Sequence, residues 1–222
     1  MSETPRRSYG GQSADARRLQ RRARLLDAAM DAMVDNAWRT ITVDKLCAAA
    51  GLNKRYFYEN FTDLDDVATS AVDDIAAELR DATLTAVAAA LAESLERQAH
   101  VAVDTVVRTL TADPRRARVL LGSVSSTAAV QQHRDSVLGG LTAVLVGHAR
   151  MVHDVELESD PLARVAPAFI VGGTADAILA YVNGTTKVSV EDLVESLATL
   201  WLVTGNGAAE VARARRDQAS PC

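Results

Sequence analysis

Apolar residues recur at three- and four-residue intervals along most of the chain, the period of an α-helix with one buried face. Leu26, Met30, Met33 and Val34 repeat at that spacing, and Leu25 and Ala29 widen the stripe. They predict a helix from Asp15 with a stop near Asn36. Thr42 stands where an N-cap belongs, ahead of Val43–Leu46, and Gly51 closes that short helix because the turn needs a positive φ. Asn53 suits the cap of a third helix over Lys54–Phe61. Asp63 suits the cap of a fourth, in which Val67, Ala71, Ile75 and Leu79 lie four apart. Further helices are predicted over 96–111, from Pro114 to about Ser125, over 128–155 (weakened by Gly139-Gly140), over 160–181 with Pro161 at its first position, and from a Ser189 cap with Asp192 three residues on. The chain after Gly205 is expected to fray. No alternating run is long enough for a strand, and no repeat has a solenoid period. The pattern is all-α.

Within it, Thr42–Phe61 reads as helix, glycine turn, helix, the geometry in which one helix braces a second in the DNA major groove. At about 100° per residue Phe57 and Phe61 share one side of the second helix. Arg55, Tyr56, Glu59 and Asn60 spread over the other, with Lys54 and Tyr58 at the edges. Arg or Lys can read guanine, Asn can read adenine, and Lys54 and Tyr58 can equally hold phosphate. A plain helical hairpin would have the same outline.

Composition first argues against nucleic acid, then for it. The 222 residues carry a formal charge of −5. Residues 1–60 hold eleven Lys and Arg against seven Asp and Glu, so the first 60 residues balance at +4 and the remainder at −9. A basic head on an acidic body is the split expected of a chain that touches nucleic acid through one end; a solvated arginine-rich helix face is the plainer reading. Arg17, Arg18, Arg21 and Arg22 form the densest basic run. Two cysteines, Cys47 and Cys222, make no disulfide framework and no metal motif, and Cys47 reads as a small buried residue. The chain shows no signal-peptide pattern and no apolar run of membrane-span length, which predicts a cytoplasmic protein with no membrane partner.

The head resembles the DNA-binding domain of the TetR family of bacterial transcriptional regulators. The residues that carry the resemblance are Leu25-Leu26-Asp27-Ala28-Ala29, Thr42-Val43-Asp44-Lys45-Leu46, Ala50-Gly51-Leu52 and Phe57-Tyr58-Glu59-Asn60-Phe61. It covers about residues 19–79; beyond that only length and helix count are similar. The resemblance implies an N-terminal three-helix helix-turn-helix DNA-binding domain and a C-terminal helical bundle for ligand binding and dimerisation. The expected divisions are a disordered basic arm at 1–13, the DNA-binding domain at 14–79 with its helix-turn-helix at 42–61, an effector-binding and dimerisation domain at 80–210, and a flexible tail at 211–222. It implies that Thr42 caps its helix and touches phosphate, that Lys54, Arg55 and Tyr56 approach the bases or their backbone, that Tyr58 binds phosphate, and that Asn60 lies at the groove edge. Two departures stand out. Arg55 replaces a residue that is often small in the family, and Leu64, flanked by Asp63, Asp65 and Asp66, stands where the family usually has lysine. The arginine run at 17–22 is expected to compensate with sequence-independent attraction.

For the body, the resemblance implies a homodimer formed by the last two long helices. Phe169, Gly173, Ala177, Leu193, Leu197 and Trp201 are the candidate interface residues, with the monomer core as their alternative destination. A small-molecule effector is implied, without a cofactor. His100, Asp104 and Arg108 make a polar stripe that is either a pocket wall, with His133 as a further candidate, or a solvated face of i,i+4 pairs. No catalytic or metal-ligating residues are expected, because no GxGxxG, P-loop, HExxH or GxSxG pattern occurs. The expected function is a ligand-responsive homodimeric repressor on a palindromic operator. A non-specific architectural DNA binder and a helical enzyme without a motif are the alternatives.

Overall fold

The computed structural model describes residues 13–122, 127–153 and 160–219. Among the described residues the chain is all helical: α1 Ala14–Val34, α2 Val43–Ala49, α3 Lys54–Tyr58, α4 Leu64–Ala89, α5 Leu95–Thr111, α6 Pro114–Leu121, α7 Ala128–His153, α8 Pro161–Val182 and α9 Val190–Ala219, with a 3-10 turn at Ala37–Thr40. The arm expected at 1–13 lies, but for Ser13, outside the described residues. So do Ser125 and Val155, where the pattern predicts two helix ends, and the last residues of the expected tail.

Most helices begin where a short polar side chain can take up an otherwise unpaired N–H. Thr42 accepts from Lys45 N at 3.3 Å, Asn53 from Tyr56 N at 3.2 Å, Asp63 from Asp66 N at 2.8 Å and Ser189 from Asp192 N at 3.0 Å. Each such cap is worth about 1 kcal/mol against alanine. Asn36 takes the left-handed conformation, φ 58°, and ends α1 as its sequence position suggests. The turn after it, unforeseen in the sequence, buries Trp38.

The head is α1–α3 with the first half of α4, closed around Leu25, Met33, Leu46, Phe57 and Val67. The body packs α5 on α4 and α9, α8 on α9, and α7 on α4. Val103, Val107, Leu110, Ile178, Leu193 and Leu197 are buried in it. α4 belongs to both parts. α6 is pinned to three neighbours through its arginines. Arg115 reaches Asp27 and Asp31 on α1 at 2.8 and 2.7 Å. Arg116 holds Glu78 on α4 with both terminal nitrogens, and Arg118 donates to Val182 O and Asn183 Oδ1 at the C-terminal end of α8.

α9 continues to Ala219, past the point where a frayed tail is expected. The physical reason is burial plus propensity: Ala209 and Ala212 pack inward, and Arg215 pairs with Asp160 at 3.2 Å. Gly205 and Gly207 are carried inside the helix.

Candidate functional site

α3 is a short helix held by its two rings. Phe57 and Phe61 are buried, with centroids 6.0 Å apart. That anchorage turns Lys54, Arg55 and Tyr58 outward; Arg55 is 84 % exposed at its side chain and Tyr58 60 % exposed overall. Gly51 sets the angle of approach. Its φ is +62°, and an added Cβ would stand 2.6 Å from Arg24 Nη2, which donates to the Gly51 carbonyl. The outward face offers an ammonium, a guanidinium and a phenol on one turn, a donor set suited to phosphate and base edges.

The other expected contact residues are partly committed within the head. Tyr56 is half-buried beneath the Arg21 guanidinium, 4.3 Å from its ring centroid. Asn60 donates to the Tyr56 carbonyl at 2.7 Å. Glu59 accepts from Arg55 at 3.0 Å and from Arg21 at 3.4 Å. Lys54 pairs with Asp44 at 2.8 Å, and that hydrogen bond pushes the ammonium pKa up, so the cation persists. Thr42 is occupied as a cap. In the arginine run, Arg22 grips Asp74 with both terminal nitrogens at 2.6 and 3.1 Å. Arg21 and Arg22 therefore fasten α1 to α3 and α4, whereas Arg17 and Arg18 stand exposed on the first turns of α1. The acids around Leu64 also have structural work. Asp66 accepts from Thr62 N at 2.8 Å, Asp65 accepts from Thr127 Oγ1 at 2.9 Å, and Leu64 itself packs on the core. Cys47 is buried, which raises its thiol pKa.

In the body, a cavity of about 720 Å³ lies among α4, α5, α7, α8 and α9. Leucine, valine, isoleucine and alanine dominate its wall. Trp201 stands in it and donates from Nε1 to Thr174 Oγ1 at 2.7 Å. The polar stripe on α5 lies outside this wall. Arg108 pairs with Asp104 at 2.7 Å and Glu191 at 3.5 Å, and His100 faces Glu195 at 3.6 Å. His133 pairs with Asp73 at 2.7 Å. The four expected pocket residues thus make polar contacts with one another or with acidic side chains away from this wall, the solvated-face arrangement, and the cavity wall is mostly apolar. Trp201 and Arg80, which line it, were not foreseen as pocket residues; their spacing along α9 and α4 looks like that of any core-facing position.

The candidate dimer residues divide. Leu193 and Leu197 are buried in the monomer core and Trp201 lines the cavity. Phe169 and Gly173 stand exposed on α8, and Ala177 is half-buried. Phe169 is 68 % exposed, and other large apolar side chains of α8 and α9 are exposed as well: Val165 at 61 %, Leu200 at 58 % and Val203 at 65 %. Contrary to the expectation that no apolar run reaches membrane-span length, the stretch Val165–Val182 is long and apolar enough to cross a membrane by length and composition. It lies in α8, where few charged positions offset the overall hydropathy, and 22 % of it is buried. Among the described residues no group of three or more His, Cys, Asp or Glu gathers to hold a metal ion.

No protein-family model matches the sequence. A search of curated proteins finds no match either. Solved structures do match in fold. The fatty acid degradation regulator FadR from Bacillus halodurans aligns over 81 % of this chain and 97 % of its own, with a TM-score of 0.69 at 21 % identity. FadR from Bacillus subtilis, a transcriptional regulator solved in complex with stearoyl-CoA, covers 82 % of this chain and 98 % of its own, with a TM-score of 0.62 at 18 % identity. A TetR family transcription regulator from Marinobacter aquaeolei covers 87 % and 96 %, with a TM-score of 0.57 at 17 % identity. The fold is TetR-like: a helix-turn-helix bundle followed by a larger helical bundle.

Proposed function

We propose that this chain is a ligand-responsive homodimeric transcriptional repressor that reads a palindromic operator. The observation that carries the reading is the outward face of α3, where Lys54, Arg55 and Tyr58 project from a helix anchored by Phe57 and Phe61 and aimed by Gly51. The likeness in fold to TetR-family regulators over more than four-fifths of the chain supports it. The head, at about 14–79, contacts DNA through Lys54, Arg55 and Tyr58. Tyr56, Asn60 and Thr42 hold the helix and its backbone in place, and Arg17 and Arg18 add phosphate contacts.

The body supplies dimerisation and control. The exposed apolar residues of α8 and α9 form the interface, which also accounts for a long, apolar, mostly unburied α8 in a chain with a charged remainder. α4 begins beside α3 and ends in the cavity wall, so an occupant that prefers one placement of α4 shifts the spacing of the two reading heads.

Selection of bound fragments from a random DNA pool tests this. A two-fold symmetric sequence should be enriched and bound about 10³-fold or more above random DNA. Uniform binding of all sequences would replace the reading with that of a non-specific DNA binder, and no binding would end it.

A further inference from the structure

The polar side chains of the cavity wall narrow its occupant. They are Arg80, Thr83, Gln98, Thr174, Trp201 and Asn206. Four of the six spend their donors inside the protein. Trp201 donates to Thr174, whose hydroxyl donates to Ile170 O at 2.7 Å. Thr83 donates to Leu79 O at 2.7 Å. Gln98 Nε2 donates to the carbonyls of Leu91 and Glu93 at 3.3 and 3.0 Å. A ligand acceptor laid against those four side chains would lose its hydrogen bonds to water without replacement, which leaves Asn206 and Arg80 as the donors on the wall. An alkyl chain loses nothing there and gains burial.

Arg80 has a different setting. It is half exposed, and its Nε donates to Asp81 on the same helix at 3.0 Å. It stands where the cavity adjoins a second pocket of about 350 Å³ between α4 and α7, and Arg80 and Leu141 line both. The wall on α8, from Ala166 to Ile178, is about 18 Å long at 1.5 Å per residue. With carbon–carbon bonds near 1.5 Å and angles near 111°, an extended chain advances roughly 1.25 Å per carbon, so about fourteen carbons span that wall.

We propose that the cavity takes one unbranched aliphatic chain of about fourteen carbons, its single carboxylate held at Arg80. The assignment rests on the ligand-responsive reading of the body. Charge selects the head group. Asp73 shares the second pocket with Arg80, Asp81 adjoins it, and the chain beyond residue 60 balances at −9. Arg80 spends its Nε on Asp81, while its two terminal nitrogens make no hydrogen bond among the described residues, so one carboxylate can join that pair as a further acceptor; a polyphosphorylated head would meet the repulsion of Asp73 and Asp81.

Titration of the full chain with sodium myristate, followed by calorimetry and by tryptophan emission, tests the proposal. The chain has two tryptophans, so Trp38→Phe leaves Trp201 as the reporter inside the cavity; calorimetry on the unaltered chain covers the case where that variant folds poorly. Myristate should bind and shift the Trp201 emission. Laurate and then decanoate should each bind about 15-fold more weakly, the effect of two methylenes at about 0.8 kcal/mol each. Myristoyl-CoA should bind more weakly than myristate. Arg80→Gln should erase a preference for myristate over tetradecanol of up to about fivefold, the scale of a half-exposed ion pair. Equal binding of decanoate and myristate, an unmoved Trp201 emission, or tighter binding of myristoyl-CoA would overturn the proposal. An enriched palindrome without myristate binding would sink the ligand assignment alone; myristate binding without an enriched palindrome would uphold it and sink the regulator reading.

Discussion

On the proposed homodimer, replacing Phe169 by aspartate should separate the protomers while leaving each one folded. The side chain sits on α8 with 68 % of its surface exposed, so little of the monomer's stability depends on it. An aromatic side chain that becomes buried covers about 150–250 Å². Two-thirds of that, at about 25 cal/mol per Å², is roughly 2.5–4 kcal/mol. Two-fold symmetry counts it twice, giving about 5–8 kcal/mol, before the cost of placing a carboxylate in an apolar contact. A dimer with a nanomolar dissociation constant would weaken by about 10⁴-fold or more. Light scattering on a sizing column at low-micromolar protein should then report the monomer mass, with helical circular dichroism unchanged. Leu197→Asp is the contrasting variant: its side chain is 4 % exposed, and the substitution leaves a cavity and an unpaired charge in the core. It should lose helical signal instead. A dimeric mass for Phe169→Asp, or a folded monomer for Leu197→Asp, would refute the assignment of inward and outward faces.

Two further outcomes concern charge. Removing Arg17 and Arg18 together should lower the slope of log affinity against log salt by up to about 1.8, at roughly 0.9 per phosphate contact, and an unchanged slope would show that neither touches DNA. Arg115 draws the Asp113 carboxyl below its ordinary value of 3.8 through their hydrogen bond. A depressed folded-state pKa adds stability above the unfolded value, which is lost as pH falls through the folded one, so this contribution should fade below about pH 4. Asp113→Asn keeps the cap of α6 and should remove that acid dependence, whereas Asp113→Ala should also cost about 1 kcal/mol of capping in thermal melts at neutral pH.

The helix-turn-helix was readable because its signals are local. Thr42, Gly51 and Asn53 act on the backbone within three residues of themselves, and the Phe57–Phe61 spacing alone turns Lys54 and Arg55 outward. The cavity was not readable. Its wall joins Leu79 to residues beyond 200, and Trp201 and Thr174 meet only after α8 and α9 have packed. On α5 one arc is buried, at Val103 and Val107, and the opposite arc carries His100, Asp104 and Arg108; periodicity separates the arcs without saying which meets a pocket. On α9 two apolar arcs compete. Leu193 and Leu197 point in, Leu200 and Val203 point out, and nothing in their residue types tells them apart. The arginine run divides in a way its spacing does not show, since the charges of Arg21 and Arg22 are answered by Glu59 and Asp74, acids 38 and 52 positions away.

The shared helix α4 bears on modular engineering. A cut between 79 and 80, where the sequence suggests a domain border, falls inside a continuous helix of 26 residues. It would strip the head of the Arg115 contacts to Asp27 and Asp31 and leave Ile75 and Leu79 without their covering helices. On the proposed reading, a chimera meant to give this body a different DNA preference should exchange the surface of α3 alone, at Lys54, Arg55 and Tyr58, and keep α1, α4 and α6 from one parent.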